Sequence, residues 1–224
     1  MGACSEVSAL VYEYLSNGSL EDRLTCANNS PPLTWQARTR IIGEICLALI
    51  FLHSNQPQLV VHGDLKPENI LLDTNLVSKL SDFGISRLLK QPDTNATAFF
   101  QTMNPAGTFS YIDPEYLSTG VLTPKSDIYS LGIIILRLLT GKPPMNIARQ
   151  VENAMRNGIL LSVIDESAGT WPFEQAKELA EIALRCAKPT GSERPNLVNE
   201  VWAVVEPLMK AATCVEPQSG ESEL

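Results

Sequence analysis

Apolar residues recur at helical spacing after Thr34: Ile41, Ile42, Ile45, Leu49 and Leu52 fall on one face, which predicts a long helix with one buried side and Thr34 as its N-terminal cap. A second helix is predicted from Ser126 to Thr140, a strongly apolar run that closes on Gly141 and Pro143-Pro144, a stop signature. Helical patterns return at 146–157, 174–187 and 196–212. Shorter apolar runs read as strands between polar loops: residues 8–15, Leu59-Val60-Val61, Ile70-Leu71-Leu72 and Val77 to Leu80. Asn17-Gly18-Ser19 reads as a turn, with Ser19 placed to cap a following helix. Residues 87–107 are poor in hydrophobics, and a loop of that length in a compact domain is expected to be functional or mobile. The polar end, residues 215–224, is expected to fray, and no internal repeat is visible.

Composition narrows the function classes. Of the 224 residues, 44% are hydrophobic, enough for a real core, and the formal net charge of −8 argues against a nucleic-acid or anionic-membrane surface. The cysteines (Cys4, Cys26, Cys46, Cys186 and Cys214) are odd in number and widely spaced, with no CxxC pair, and histidine is limited to His53 and His62. This pattern argues against a disulfide framework or a zinc site and favours a reducing, cytoplasmic setting. The most apolar run, Ile128 to Leu139, contains Arg137 and falls well short of the roughly 20 residues a membrane span needs. A secretory signal is not expected, and Glu6 departs from the acylation pattern that Met1-Gly2 otherwise suggests.

The chemistry concentrates in His62-Gly63-Asp64-Leu65-Lys66-Pro67-Glu68-Asn69. Phosphoryl transfer to a hydroxyl needs a carboxylate near the acceptor, a cation near the γ-phosphate and a group to hold Mg²⁺. Asp64, Lys66 and Asn69 supply these types within one tight loop. Asp82-Phe83-Gly84 follows, with a carboxylate able to bridge Mg²⁺ to phosphates, an aromatic anchor and a glycine for a sharp turn, and the segment then runs to Asp113-Pro114-Glu115.

In order and spacing, and with Asp127 and Gly132 in the next apolar helix, these motifs resemble the eukaryotic protein kinases over about residues 2–207. The resemblance implies a protein-kinase-like fold: a mostly α-helical large lobe with short β-strands, plus a remnant hinge strand of the small lobe. Residues 1–15 would be that remnant, 16–210 the large lobe with catalytic loop 62–69 and activation segment 82–115, and 211–224 a flexible tail. It also implies roles. Asp64 would be the catalytic base, Lys66 the γ-phosphate contact, and Asn69 and Asp82 the Mg²⁺ ligands. Tyr12 would be the gatekeeper, the Glu13 carbonyl and the Leu15 N–H would bond the adenine edge, and Leu71 would pack beneath the base. Gly107-Thr108 would seat the acceptor hydroxyl, and Glu115 and Arg194 would pair to pin the activation segment. Tyr12 and Leu71 could equally be core residues, and Asp127 and the Glu115–Arg194 pair are expected to be structural. ATP and Mg²⁺ would be the cofactors and a protein the substrate, with Lys66 favouring serine/threonine acceptors.

Three departures stand beside the resemblance. Gly63 occupies the position where many kinases carry an arginine that receives an activation-segment phosphate, and Asp113 replaces the usual alanine; both are features of plant receptor-like and immune kinases. No lysine precedes Lys66 and no Gly-x-Gly loop precedes the hinge, so the small-lobe half of the phosphate site is expected to be missing, with weak activity from the isolated chain. The kinase domain of plant U-box proteins is the nearest resemblance, carried by residues 10–20, by Gly107 to Glu115, and by Trp171-Pro172-Phe173 leading into Ala183-Leu184-Arg185-Cys186. No U-box-like stretch is visible, so ubiquitin-conjugating machinery is expected as a partner only through a U-box outside this chain. Two alternatives to an active kinase follow: a pseudokinase-like binding lobe, and a lobe that recruits substrates within a ubiquitin ligase.

Overall fold

The computed structural model describes residues 13–90 and 97–213. Their elements in chain order are α1 (Leu20–Leu24), α2 (Trp35–Ser54), β1 (Gln58–Val61), β2 (Ile70–Leu72), β3 (Ser78–Leu80), β4 (Arg87–Lys90), β5 (Phe100–Gln101), α3 (Pro114–Thr119), β6 (Val121–Leu122), α4 (Pro124–Thr140), α5 (Ile147–Arg156), α6 (Phe173–Cys186) and α7 (Ala203–Thr213). The lobe is mostly helical with short strands, the architecture that the resemblance implies. Residues 13–15 form no strand, and the rest of the expected hinge strand, with Tyr12, lies outside the described residues.

The expected caps hold their helices. The Ser19 hydroxyl accepts from the Asp22 N–H, and the Asp22 carboxylate accepts back from the Ser19 N–H, a reciprocal capping box on α1. Thr34 accepts the Ala37 N–H at the start of α2. At the other end of α4 the chain stops on Gly141 with φ 64°, a left-handed conformation that glycine adopts without a Cβ penalty.

Helix α4 is the centre of the lobe. Nearly every residue from Ser126 to Thr140 is buried, as expected of a helix that is apolar all round. It packs against α2 on one side and α6 on another. Where α4 crosses α6, a Cβ on Gly132 would lie 2.7 Å from Cys186 Cβ and 2.8 Å from the Ala183 carbonyl oxygen. Gly132→Ala is therefore expected to destabilise the fold by about 1–3 kcal/mol, read as a lower denaturant midpoint with unchanged slope.

The strands are short and antiparallel: β1 with β4, β2 with β3, and β5 with β6. The region expected to be one long loop, residues 87–107, contains β4 and β5. Their pairing partners come from outside the segment, Val61 opposite Arg87 and Leu122 opposite Phe100, so local composition does not reveal them. Leu59, Val61, Leu89, Ala98, Tyr116 and Leu122 form a small apolar cluster separate from the main core. That cluster seats the described part of the activation segment on β1 and α3.

Candidate functional site

The catalytic loop joins β1 to β2 and is held from beneath by α4. Asp127, in the first turn of α4, is buried. Its Oδ2 accepts the His62 N–H at 2.9 Å and its Oδ1 the Gly63 N–H at 2.9 Å. His53, in the last turn of α2, adds an Nε2 contact to Oδ2 at 2.8 Å. Burial alone would push the Asp127 carboxyl up, but the His53 hydrogen bond and charge and the Gly63 N–H outweigh it, and the group sits below its ordinary 3.8. Its contribution to stability is therefore present above 3.8 and lost as the pH falls through the lower folded value. Thermal melts from neutral pH down to about 3 are expected to show the gap between wild type and Asp127→Asn shrinking at the acid end.

Above this anchor the expected catalytic residues converge. Asp64 Oδ1 accepts both the N–H and the hydroxyl of Thr108, at 2.9 and 2.8 Å. Lys66 Nζ bridges the pair, 2.7 Å from Thr108 Oγ1 and 2.9 Å from Asp64 Oδ2. Asn69 Nδ2 donates to the Asp64 carbonyl at 2.9 Å and to Asp64 Oδ2 at 3.2 Å. The Asn69 amide is thereby oriented with its donors turned to Asp64, which leaves Oδ1 as an acceptor for a cation.

Asp82 follows β3, at φ 58°. The backbone before it is tied to the catalytic loop, since the Ser81 N–H and hydroxyl both donate to the Asn69 carbonyl, at 2.8 and 3.0 Å. His62 supports the same turn: its Nε2 lies 3.0 Å from the Ser81 carbonyl oxygen, and its ring is 4.9 Å from that of Phe83. Glu13, Leu15, Leu71, Lys79, Leu80, Ser81, Asp82, Phe83 and Gly84 line one cavity of about 770 Å³. The expected Glu13, Leu15, Leu71 and Asp82 thus line the same cavity, and Lys79 and Glu13 of its lining form an ion pair of 2.6 Å. A mainly apolar lining that includes an Asp carboxylate suits a nucleotide carrying a hard divalent cation, for which oxygen donors are the expected ligands.

The expected Glu115–Arg194 pair is not formed. Arg194 makes a two-pronged pair with Asp113, Nη2 to Oδ1 at 2.5 Å and Nη1 to Oδ2 at 2.8 Å. Asp113 precedes α3 as its cap and also accepts the Glu115 N–H and the Ser126 hydroxyl. Its short side chain brings the carboxylate directly against the guanidinium. Glu115 instead accepts the Gly191 N–H at 2.5 Å. The clue was the replacement of alanine at Asp113, a new carboxylate two residues from the expected partner. The contribution of His53 had no such signal, because its partner is 74 residues away.

Among the described residues no group of three or more His, Cys, Asp or Glu side chains could hold a metal ion, and no helix is long and apolar enough to cross a membrane. Cys26, Cys46 and Cys186 are free thiols.

The carboxylate–lysine–asparagine loop, the second carboxylate and the helical lobe beneath them define a protein kinase large lobe. Residues 4–204 match the protein kinase domain family, and the chain belongs to that family. Its relatives include plant proteins. It is 61% identical over 222 residues to U-box domain-containing protein 70 of Oryza sativa subsp. japonica, covering 99% of this chain and 28% of that protein. It is 58% identical over 208 residues to U-box domain-containing protein 33 of Arabidopsis thaliana, covering 93% and 24%. To U-box domain-containing protein 57 of Oryza sativa subsp. japonica it is 52% identical over 229 residues, covering 100% and 43%. The chain thus spans less than half the length of each of these relatives.

Proposed function

We propose that this lobe serves a cytoplasmic protein kinase that transfers the γ-phosphate of ATP to serine or threonine hydroxyls. The observation that carries the reading is the closed contact set of Asp64, Lys66, Asn69 and Thr108. Asp64 is the one carboxylate in that set, positioned to orient an acceptor hydroxyl and take its proton. Lys66, held between Asp64 and Thr108, supplies positive charge where negative charge builds on the transferred group. Asn69 Oδ1 and the Asp82 carboxylate are the groups that would hold Mg²⁺, which when bound neutralises charge on the phosphates. Glu13, Leu15 and Leu71 would receive the base through two backbone groups and an apolar floor. Thr108 beside Lys66 supports a small aliphatic hydroxyl as acceptor, since both crowd the approach to Asp64.

The test is phosphate transfer by the full gene product with Mg-ATP and a mixed protein acceptor, read by mass spectrometry. Phosphoserine and phosphothreonine are expected; phosphotyrosine alone, or no transfer, would contradict the reading.

A second reading concerns the whole gene product. The relatives named above are U-box domain-containing proteins, which supports a U-box in the same polypeptide as this lobe and a link to ubiquitin-conjugating machinery through it. Sequencing of the full-length transcript decides this, and the lack of a U-box anywhere in it would remove the link.

A further inference from the structure

We propose that Glu21, Arg137 and Tyr111 form a positioning relay that sets where the loop carrying Thr108 holds the acceptor; the inference rests on the kinase reading. None of the three belongs to the catalytic set described above. Arg137 projects from the last turn of α4 and is only 6% exposed. Its guanidinium divides between α1 and the segment that carries Tyr111. Nη1 donates to the Tyr111 hydroxyl at 2.9 Å, while Nη2 donates to Glu21 Oε1 at 3.1 Å and Nη1 lies 2.7 Å from Glu21 Oε2.

Each end of the relay leads to one side of the active site. Glu21 lies in the first turn of α1, which begins five residues after Leu15 of the nucleotide cavity. Ser19, its cap, bridges to Leu71 on the cavity floor. Tyr111 lies at the acceptor end, buried at 3% exposure. Its N–H and that of Ile112 both donate to the Thr108 carbonyl at 2.9 Å, and its own carbonyl accepts the Ser130 hydroxyl at 2.8 Å. Thr108 in turn clamps Asp64. Fixing the Tyr111 ring therefore fixes the turn whose other end meets the catalytic carboxylate. Burial pushes the Tyr111 phenol up to about 12, so the hydroxyl stays neutral and accepts from the guanidinium.

A purely structural brace would not need this arrangement. Replacing a largely buried ion pair by well-packed apolar side chains is often neutral or stabilising, and Arg137 Nε has no partner among the described residues. The guanidinium is instead spent on joining the helix beside the nucleotide cavity to the acceptor turn.

The test uses two conservative variants of the full gene product, Glu21→Gln and Tyr111→Phe, with Mg-ATP and a serine/threonine peptide. Each is expected to lower kcat/KM for the peptide about tenfold while KM for ATP stays within about twofold. Equal losses toward both substrates that track a lower Tm would assign the residues to stability alone and overturn the relay, as would unchanged kinetics. Amide exchange on the same variants decides the point without activity. Thr108, Tyr111 and Ile112 are expected to exchange about tenfold faster while the core of α4 is unaltered, and unchanged protection overturns the relay. If wild type transfers no phosphate, the kinase reading fails, whereas the exchange result still decides the relay.

Discussion

Asp64→Ala is expected to reduce phosphate transfer by about 10²–10⁴-fold with the fold intact, the range for removal of a positioned acid–base group. The expectation follows from its contacts. Asp64 is the point at which Lys66, Asn69 and the Thr108 loop meet, so its loss removes the carboxylate and also loosens the groups around it. Its side chain is mostly withdrawn from solvent, 14% remaining exposed, but its neighbours are polar and it lies outside the apolar core, so truncation leaves no large cavity there. Circular dichroism and Tm should therefore stay close to wild type while single-turnover transfer collapses. Asp64→Asn separates the two contributions: it keeps an oxygen for Thr108 but cannot take a proton, and its rate should fall nearly as far.

Asp113→Ala is expected to cost about 3–5 kcal/mol of stability, because it strands a buried guanidinium. The Arg194 side chain is 0% exposed and that of Asp113 3%. Arg194 also donates to the carbonyls of Lys188, Pro189 and Lys125, so it cannot swing out to solvent without breaking three further hydrogen bonds. Glu115→Ala, by contrast, removes one acceptor from the Gly191 N–H and should cost about 1 kcal/mol. Urea melts of the two variants side by side give the comparison. Reversal of that order would restore Glu115 as the principal partner of Arg194.

The contrast between those carboxylates marks how far the sequence could be read. The catalytic loop was legible because Asp64, Lys66 and Asn69 lie within six residues, a distance over which chemistry type and loop geometry are tied together. The helices were legible where a cap and a period coincide, as at Thr34 with Ile41, Ile45 and Leu49. Partner choice between remote residues was not. Arg194 is 81 positions from Asp113; the carboxylate in place of alanine signals a second candidate beside Glu115, but nothing in the local sequence says which of the two Arg194 takes. The pairing of β4 with β1 escaped for the same reason, since the edge that receives it lies outside the polar segment. Arg137 read as the single charge that interrupts an apolar run, and only the packing of α1 and the acceptor loop around α4 gives that charge its two partners.

The central claim is that Asn69 and Asp82 join the catalytic loop to a nucleotide through Mg²⁺. Calorimetric titration of the full gene product with ATP, with and without Mg²⁺, tests it most directly. Wild type is expected to bind more tightly when Mg²⁺ is present, and Asp82→Asn to lose that difference. Equal Mg²⁺ dependence in the two proteins, or no nucleotide binding by wild type, would contradict the account.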